Sequence, residues 1–131
     1  MLERIVPSEI MQPFNNAYSH GVVIPAGARV LHISGQIGAR ADGSVPEDGT
    51  EQAALAWNNV MAIVAGARME VGDIVKLTAY IVDDSIYPSY AELRNKTFAG
   101  KPPPAATAIC VPRLVLSEWK IEIEAIAAQV D

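Results

Sequence analysis

Side chains that could do acid–base or ligand-binding chemistry are few in this sequence. Glu122 alternates with apolar residues in "KIEIEAIAAQV", so it occupies a defined face of a predicted strand and could act as a general acid or base. Tyr18 and His20 precede the first apolar run, where a tyrosine ring could cover a ligand and a histidine could donate a proton near neutral pH. The alternatives are a solvated glutamate on an edge strand and ordinary loop packing.

Two further stretches offer uncharged groups to a ligand. In "GKPPPAATAICVPRLV", residues 100–115, Thr107 and the backbone N–H groups of Ala106 to Ala108 could hydrogen-bond a carbonyl or carboxylate oxygen. Ser34 and Gly35 end another β-run, where they would leave a hydroxyl and a bare backbone accessible to a ligand. Because no histidine–acid pair accompanies Ser34, a serine nucleophile is disfavoured.

The counts of histidine and cysteine disfavour a metal site and a disulfide. His20 and His32 are the only histidines, and neither has a cysteine or carboxylate at ligand spacing, so we expect no metal. Cys110 is the only cysteine, which rules out a disulfide within the chain and fits a reducing compartment. We expect Cys110 to be a small buried residue on its strand.

Length and charge limit the classes of protein and of partner. The 131 residues predict one domain over 1–131. The net charge of −5 argues against nucleic acid and anionic membranes as partners, because phosphate groups need clustered Lys and Arg. The N-terminal "MLERIVPSEI" has no apolar signal segment, and the run "VMAIVAGA" is far shorter than the ~20 residues that span a bilayer. We therefore expect a cytoplasmic protein with no membrane partner.

The apolar periodicity changes along the chain and predicts strands and helices in turn. "GVVI" and "RVLHIS" predict two strands joined as a hairpin by "PAGA". From Thr50, which could cap a helix, apolar residues at steps of three and four predict a helix ending near Gly66. "GDIVKLTAYIV" predicts a strand, "DDSIYPSYAELRNKTF" a second helix, and "ATAICV" and "KIEIEAIAAQV" the last two strands.

This order, ββ-α-β-α-ββ, is typical of an α+β fold. It favours a mixed sheet with the two helices packed on one face. The other face carries Ala, Val and Thr as well as charged residues, which makes it moderately apolar. Because such a face is normally covered, we expect a cyclic homo-oligomer whose sheets line a central barrel.

Five motifs in sequence order resemble those of one known family. They are "YSHGVVI", "ISGQIG", "VGDIVKLTAYIVD", "KPPPAATAI" and "IEIEAIA", which together run from Tyr18 to Ala128. They are similar to the Rid family of reactive intermediate deaminases, also called the YjgF family. The resemblance implies a chorismate-mutase-like α+β subunit and a homotrimer with three clefts between subunits. It also implies hydrolysis of enamines and 2-imino acids to 2-keto acids and ammonia, without metal or organic cofactor.

Four residues match the positions that the family uses around its ligand. The family tyrosine falls on Tyr18, and the serine and glycine of its S-G-Q motif fall on Ser34 and Gly35. The final-strand glutamate, which helps to position the attacking water in the family, falls on Glu122.

Three other family positions are occupied by alanine. Ala106 replaces the arginine that grips the substrate carboxylate, Ala91 replaces a helix asparagine, and Ala108 replaces a cysteine. Losing an arginine fork weakens carboxylate binding by about two orders of magnitude. Arg113 is not expected to substitute, because the family also carries an arginine there and an extended strand would place it ~23 Å from Ala106.

The sequence thus predicts a Rid-like homotrimer that acts on or binds small reactive metabolites, such as enamines and imines, in clefts between subunits. Catalysis would be metal-independent hydrolytic deamination or a related hydrolysis, which Ala106 disfavours for 2-imino acids. The alternative is a non-catalytic protein that binds a small ligand on the same trimer. A ribonuclease activity, an old label of the family, is disfavoured by the acidic balance.

Overall fold

The helices and strands follow the predicted order, with one additional strand near the N-terminus. The computed structural model describes residues 1–130. The strands are β1 (Glu3–Ile5), β2 (Gly21–Val23), β3 (Arg29–Ile37), β4 (Ile74–Ile81), β5 (Ala105–Cys110) and β6 (Ile121–Gln129). The helices are α1 (Gly49–Gly66) and α2 (Tyr87–Thr97), with 3₁₀ turns at Phe14–Asn16, Val71–Asp73 and Asp84–Ile86.

A four-stranded mixed sheet, ordered β3-β6-β4-β5, positions the residues of interest. β4 and β5 run parallel, as the crossover through α2 allows, whereas the other neighbours are antiparallel. α1 packs across β3 and β6, and α2 packs against α1. The predicted α+β fold, with a mixed sheet and two helices, is confirmed.

The alternation of β6 decides which face of the sheet each side chain occupies. Ile121 and Ile123 are buried beneath the helices, whereas Glu122 and Glu124 are half-buried and point to the opposite face. Strand geometry produces this two-residue period, which the sequence predicted.

The predicted hairpin between "GVVI" and "RVLHIS" is wrong. A turn does form at Pro25–Ala28, where Gly27 has a φ of +84°. However, β2 pairs with β1, and β3 pairs along its length with β6. Alternating apolar residues show that a segment is a strand, but they do not show which strand it pairs with.

Helix α1 begins two residues earlier than predicted. Asp48, and not Thr50, is the cap, because its carboxylate accepts a hydrogen bond from the Glu51 backbone N–H at 3.2 Å. The helix ends at Gly66, as predicted. Trp57 joins it to α2: its ring lies edge-on to Tyr90 at 5.9 Å, and its indole N–H donates to Thr97 Oγ1 at 3.0 Å.

A buried glutamine fixes the segment that leads into β6. The Gln52 side chain is fully buried, and its Nε2 donates to the carbonyls of Pro46 and Glu118 at 2.8 and 3.0 Å. Its Oε1 accepts from the Lys120 backbone N–H at 2.8 Å. α1 is thereby tied both to the loop that precedes it and to the segment that leads into β6.

We expect Gln52→Leu to lower the free energy of unfolding by about 2–4 kcal/mol, because it leaves buried backbone groups unpaired. Urea-induced unfolding measures the change. Asn58→Leu, the same change at an exposed position of α1, should stay within about 0.5 kcal/mol of the parent protein. Equal losses in the two variants would contradict the role given to Gln52.

Candidate functional site

The helix-free face of the sheet combines polar and apolar residues. β6 contributes Glu122 and Glu124, and the register places Tyr80 and Thr78 of β4 directly opposite them. This face also carries His32, Ser34, Lys76 and Thr107, together with the apolar residues Val30, Ala105, Ile109, Ile126 and Ala128. It is therefore mixed in character, and Ala106 and Ala108, which pair with Leu77 and Ala79, lie on the other side of the sheet.

The Ser34–Gly35 pair forms an irregularity in β3 against which Glu122 packs. The pairing of β3 with β6 shifts register between Ile33 and Gln36. A Cβ added at Gly35 would collide with the Glu122 carboxylate. The bare backbone predicted to accept a ligand thus makes room for the candidate catalytic side chain.

The two glutamates of this face differ in their partners. Tyr80 donates its hydroxyl proton to Glu124 Oε1 at 2.6 Å. This hydrogen bond, with burial and the charges of both glutamates, raises the pKa of the Tyr80 phenol, so it stays protonated and continues to donate. Within residues 1–130, by contrast, no group lies in hydrogen-bond contact with the Glu122 carboxylate, which leaves its oxygens available to water or a ligand.

Glu122 lines an open groove of about 680 Å³ together with Arg113. The other lining residues are Tyr80, Glu124, Val111, Leu114 and Val115. The separation of ~23 Å between Arg113 and Ala106 assumed a strand that stays extended between them. β5 instead ends at Cys110, and the chain then bends. The Arg113 guanidinium is held by the carbonyls of Leu114 and Val115, each at 3.0 Å. Arg113 therefore lines the same groove as Glu122, a placement that the sequence analysis missed.

Tyr18 and His20 lie beside the start of β5. Ser19, between them, donates from its backbone N–H to Pro104 O and from Oγ to Pro103 O, at 3.0 and 2.6 Å. The rings of Tyr18 and His20 are 6.1 Å apart. His20 Nε2 contacts Met11 O at 2.9 Å, a bond that an imidazole makes when Nε2 carries the proton. One of the two ring nitrogens of His20, Nε2, is thus already hydrogen-bonded to the main chain and is not available to donate a proton to a ligand.

β5 places the small residues of the predicted site apart from one another. Ala106 packs against the core, whereas Thr107 Oγ1 faces the polar side and accepts from Lys76 Nζ at 2.9 Å. Ala108 is exposed, and so is Cys110, which corrects the prediction that this cysteine is buried. Both residues are exposed because β5 is an edge strand and α1 packs on β3 and β6 rather than on β5.

Within one copy of the chain, the predicted site residues form two groups. Ser34, Gly35 and Glu122 meet on β3 and β6, whereas Tyr18 and the residues Ala106 to Ala108 lie at β5. β4 separates β5 from β6, so the groups are about 10 Å apart across the sheet. Sequence order gave no indication of this separation.

Residues 1–130 contain neither a group of candidate metal ligands nor a helix suited to cross a membrane. No three His, Cys, Asp or Glu side chains in this part of the chain cluster as metal ligands. None of its helices combines the length and apolar character needed to cross a bilayer.

A protein-family model and a curated relative both match most of this chain. The family model described as endoribonuclease L-PSP matches residues 10–129. A 2-iminobutanoate/2-iminopropanoate deaminase of Escherichia coli K12 is 39% identical over 108 residues, covering 76% of this chain and 80% of the relative.

Two solved structures are also similar. YyfB of Yersinia pestis, a Rid protein of unknown function, superposes with a TM-score of 0.86 at 27% identity, covering 98% of each chain. E. coli TdcF with bound serine superposes with a TM-score of 0.71 at 30% identity, covering 98% of this chain and all of that one.

Proposed function

Since the chain belongs to the endoribonuclease L-PSP (YjgF/Rid) family, whose members include named imine deaminases, we propose that it hydrolyses small imines and enamines in clefts between subunits. The observation that carries the proposal is the position of Glu122. Its carboxylate packs over Gly35, faces an open groove, and has no hydrogen-bond partner within residues 1–130. A carboxylate so placed can orient a water molecule and accept its proton.

The proposed reaction needs only water besides the substrate. An enamine first tautomerises to its imine by protonation at carbon. Water then adds to the C=N carbon while Glu122 takes the water proton, which passes to the substrate nitrogen. The resulting carbinolamine expels ammonia and becomes a carbonyl compound. Glu122 ends the cycle ionised, so no metal or organic cofactor is required.

The proposed cleft lies between two copies of the chain, each a single domain. Within one copy, the β5 residues are at least about 10 Å from Glu122 and Tyr18 is farther still, whereas a neighbour's β5 could approach its groove directly. Large apolar side chains are exposed near the groove, with 44% of Ile109 and 75% of Val115 accessible. Covering them favours self-association. We propose a homotrimer of chorismate-mutase-like subunits whose sheets line a central barrel.

The preferred substrate of the proposed activity is an imine without a carboxylate. Ala106 supplies no charge, and Thr107 Oγ1 already accepts from Lys76. A substrate carboxylate at this position would meet backbone N–H groups, the Thr107 hydroxyl and the Lys76 ammonium, but no guanidinium fork. Because an arginine fork is worth about two orders of magnitude in affinity, neutral imines lose least by its absence.

A non-catalytic ligand-binding role is the second candidate. It is favoured by the same Ala106, since a protein that only needs to hold a ligand can dispense with the strongest anchor of a catalytic site. Turnover separates the two candidates: both predict ligand-dependent stabilisation against heat, and only hydrolysis predicts ammonia release.

We expect Glu122→Ala to lower the rate of ammonia release from a neutral imine by about a hundredfold, the usual contribution of one acid–base group. Glu124→Gln removes the same charge from the same face and should cost less than about tenfold, because Tyr80 already binds that carboxylate. 2-Iminopropanoate, generated in the assay, should react more slowly than the neutral imine. If neither substrate releases ammonia faster than it does in buffer, the proposed hydrolase activity is overturned. If the protein sediments as a monomer, the proposed cleft between subunits is overturned.

A further inference from the structure

Arg94 is a buried charge without a counter-charge. It lies in the last turns of α2 with only 8% of its surface exposed. The only ion pair within residues 1–130 joins Lys96 to Glu92 at 3.6 Å, so no described carboxylate lies within 4 Å of the Arg94 guanidinium. Because a buried charge is costly unless it is paired, this position calls for an explanation.

The hydrogen bonds of Arg94 are long and go to neutral groups. Its Nε and Nη2 donate to Asn95 Oδ1 at 3.4 and 3.3 Å, and its Nη1 donates to the Tyr87 hydroxyl at 3.4 Å. The guanidinium also lies 5.7 Å from the centre of the Tyr90 ring. Burial raises the pKa of Tyr90 to about 12, so this phenol remains neutral and supplies no counter-charge.

Arg94 lines a cavity of about 280 Å³ between the end of α2 and the N-terminal 3₁₀ turn. The other lining residues are Asn15, Asn16, Ala17, Asn95, Phe98, Ala99, Gly100, Lys101 and Pro103. Lys101 is exposed at this cavity and forms no ion pair with the rest of residues 1–130. Two cationic side chains thus face one small space.

The 3₁₀ turn on the opposite wall has an unusual backbone. Asn15 and Asn16 both have left-handed φ values, +54° and +53°. Non-glycine residues in this region are uncommon and cluster at ligand sites. Within the part of the chain that the structure describes, neither side-chain amide has a protein partner; both residues are exposed and line the cavity, so their amides are available to a ligand there.

We propose that this cavity binds a small anion through a carboxylate or phosphate group, with Arg94 as the buried anchor and Lys101 and the amides of Asn15 and Asn16 as further donors. The fork of an arginine matches both kinds of anion. The proposal uses none of the residues assigned to imine hydrolysis and does not depend on that activity.

The end of α2 offers a competing explanation for Arg94. A helix C-terminus carries about half a negative charge and attracts cations to its last turn. Either Arg94 or Lys101 alone would compensate that partial charge, and Lys96 also lies in the last turn of α2. Two full positive charges at the cavity therefore leave an excess that an anion would neutralise.

The test is a titration of the whole protein with inorganic phosphate and, separately, acetate, followed by NMR of backbone amides and the arginine Nε–H. We expect saturable shifts at residues 15–17 and at Arg94 Nε–H. Lys101→Ala should weaken binding about tenfold, the effect of one charge-assisted hydrogen bond. Lys96→Ala removes an equal charge from the same helix end and should change the affinity less than about twofold.

A conservative variant tests the anchor itself. Arg94→Lys keeps the charge but loses the fork, and we expect about tenfold weaker binding of both anions. Should that variant fail to fold, the pair Lys101→Ala and Lys96→Ala decides alone. The proposal is overturned if the parent protein shows no saturable shift with either anion, or if those two variants weaken binding equally, since that would indicate non-specific screening.

Discussion

Gly38→Ala should lower the free energy of unfolding by about 3 kcal/mol, at the upper end of the usual cost of an overpacked core. Gly38 is buried immediately after β3, where it meets α1. A Cβ there would lie 2.5 Å from the Gln52 carbonyl oxygen and 2.7 Å from the Gln52 Cβ. Since Gln52 is held by three hydrogen bonds, the helix cannot retreat without breaking them. Urea-induced unfolding measures the change.

Gly66→Ala is the matched control for this prediction. A Cβ at Gly66 meets no atom within 4 Å, and alanine is favoured over glycine in a helix by up to about 1 kcal/mol. This variant should be as stable as the parent protein or more so. If Gly38→Ala also matched the parent, α1 would be free to shift relative to β3, and the close approach would not be a constraint.

Gly35→Ala should leave the protein folded but reduce the proposed imine hydrolysis about a hundredfold. The new methyl group would occupy the space of the Glu122 carboxylate. Because that carboxylate ends a flexible side chain, it can move away at little cost in stability, but it then leaves the position from which it would orient water. Ammonia release reports the activity, and thermal unfolding reports the fold.

A double variant that combines Gly35→Ala with Glu122→Ala shows whether Gly35→Ala acts by displacing Glu122 or by a separate effect of the new methyl group. If Gly35→Ala acts by moving Glu122, then Gly35→Ala with Glu122→Ala should be no slower than Glu122→Ala alone, because residues acting as a unit are not additive. Gly72→Ala, where an added Cβ meets nothing within 4 Å, should retain full activity. Additive losses would contradict the steric account.

The sequence predicted those features that depend on local periodicity. The two faces of β6 followed from the alternation of Ile121 to Glu124, and α1 followed from its apolar stripe. Pairing partners did not follow, because β3 meets β6 about a hundred residues later and no local pattern records that choice. The polar strip along β4 followed from "KLTAY", in which Lys76, Thr78 and Tyr80 alternate with buried residues.

The candidate site was predictable only in part. Glu122 was identified from its strand position, but its contact with Gly35 depends on the register between two distant strands. Arg113 reaches the groove because the chain bends after Cys110, and Pro112, which cannot donate to a sheet, was the one signal of that bend. The burial of Arg94 had no signal, because a helix arginine is usually solvated.

The order of strands in the sheet has a consequence for biosynthesis. Of the four strands in this sheet, β6 is made last, yet it lies between β3 and β4. Until residues 121–129 have left the ribosome, β3 has no partner in the four-stranded sheet, and its edge is exposed to other nascent chains. The four-stranded sheet can therefore close only after β6 has been made, and contacts this remote in sequence form slowly. A chain cut short before residue 121 would lose its central strand, and β3 would be left apart from the β4–β5 pair.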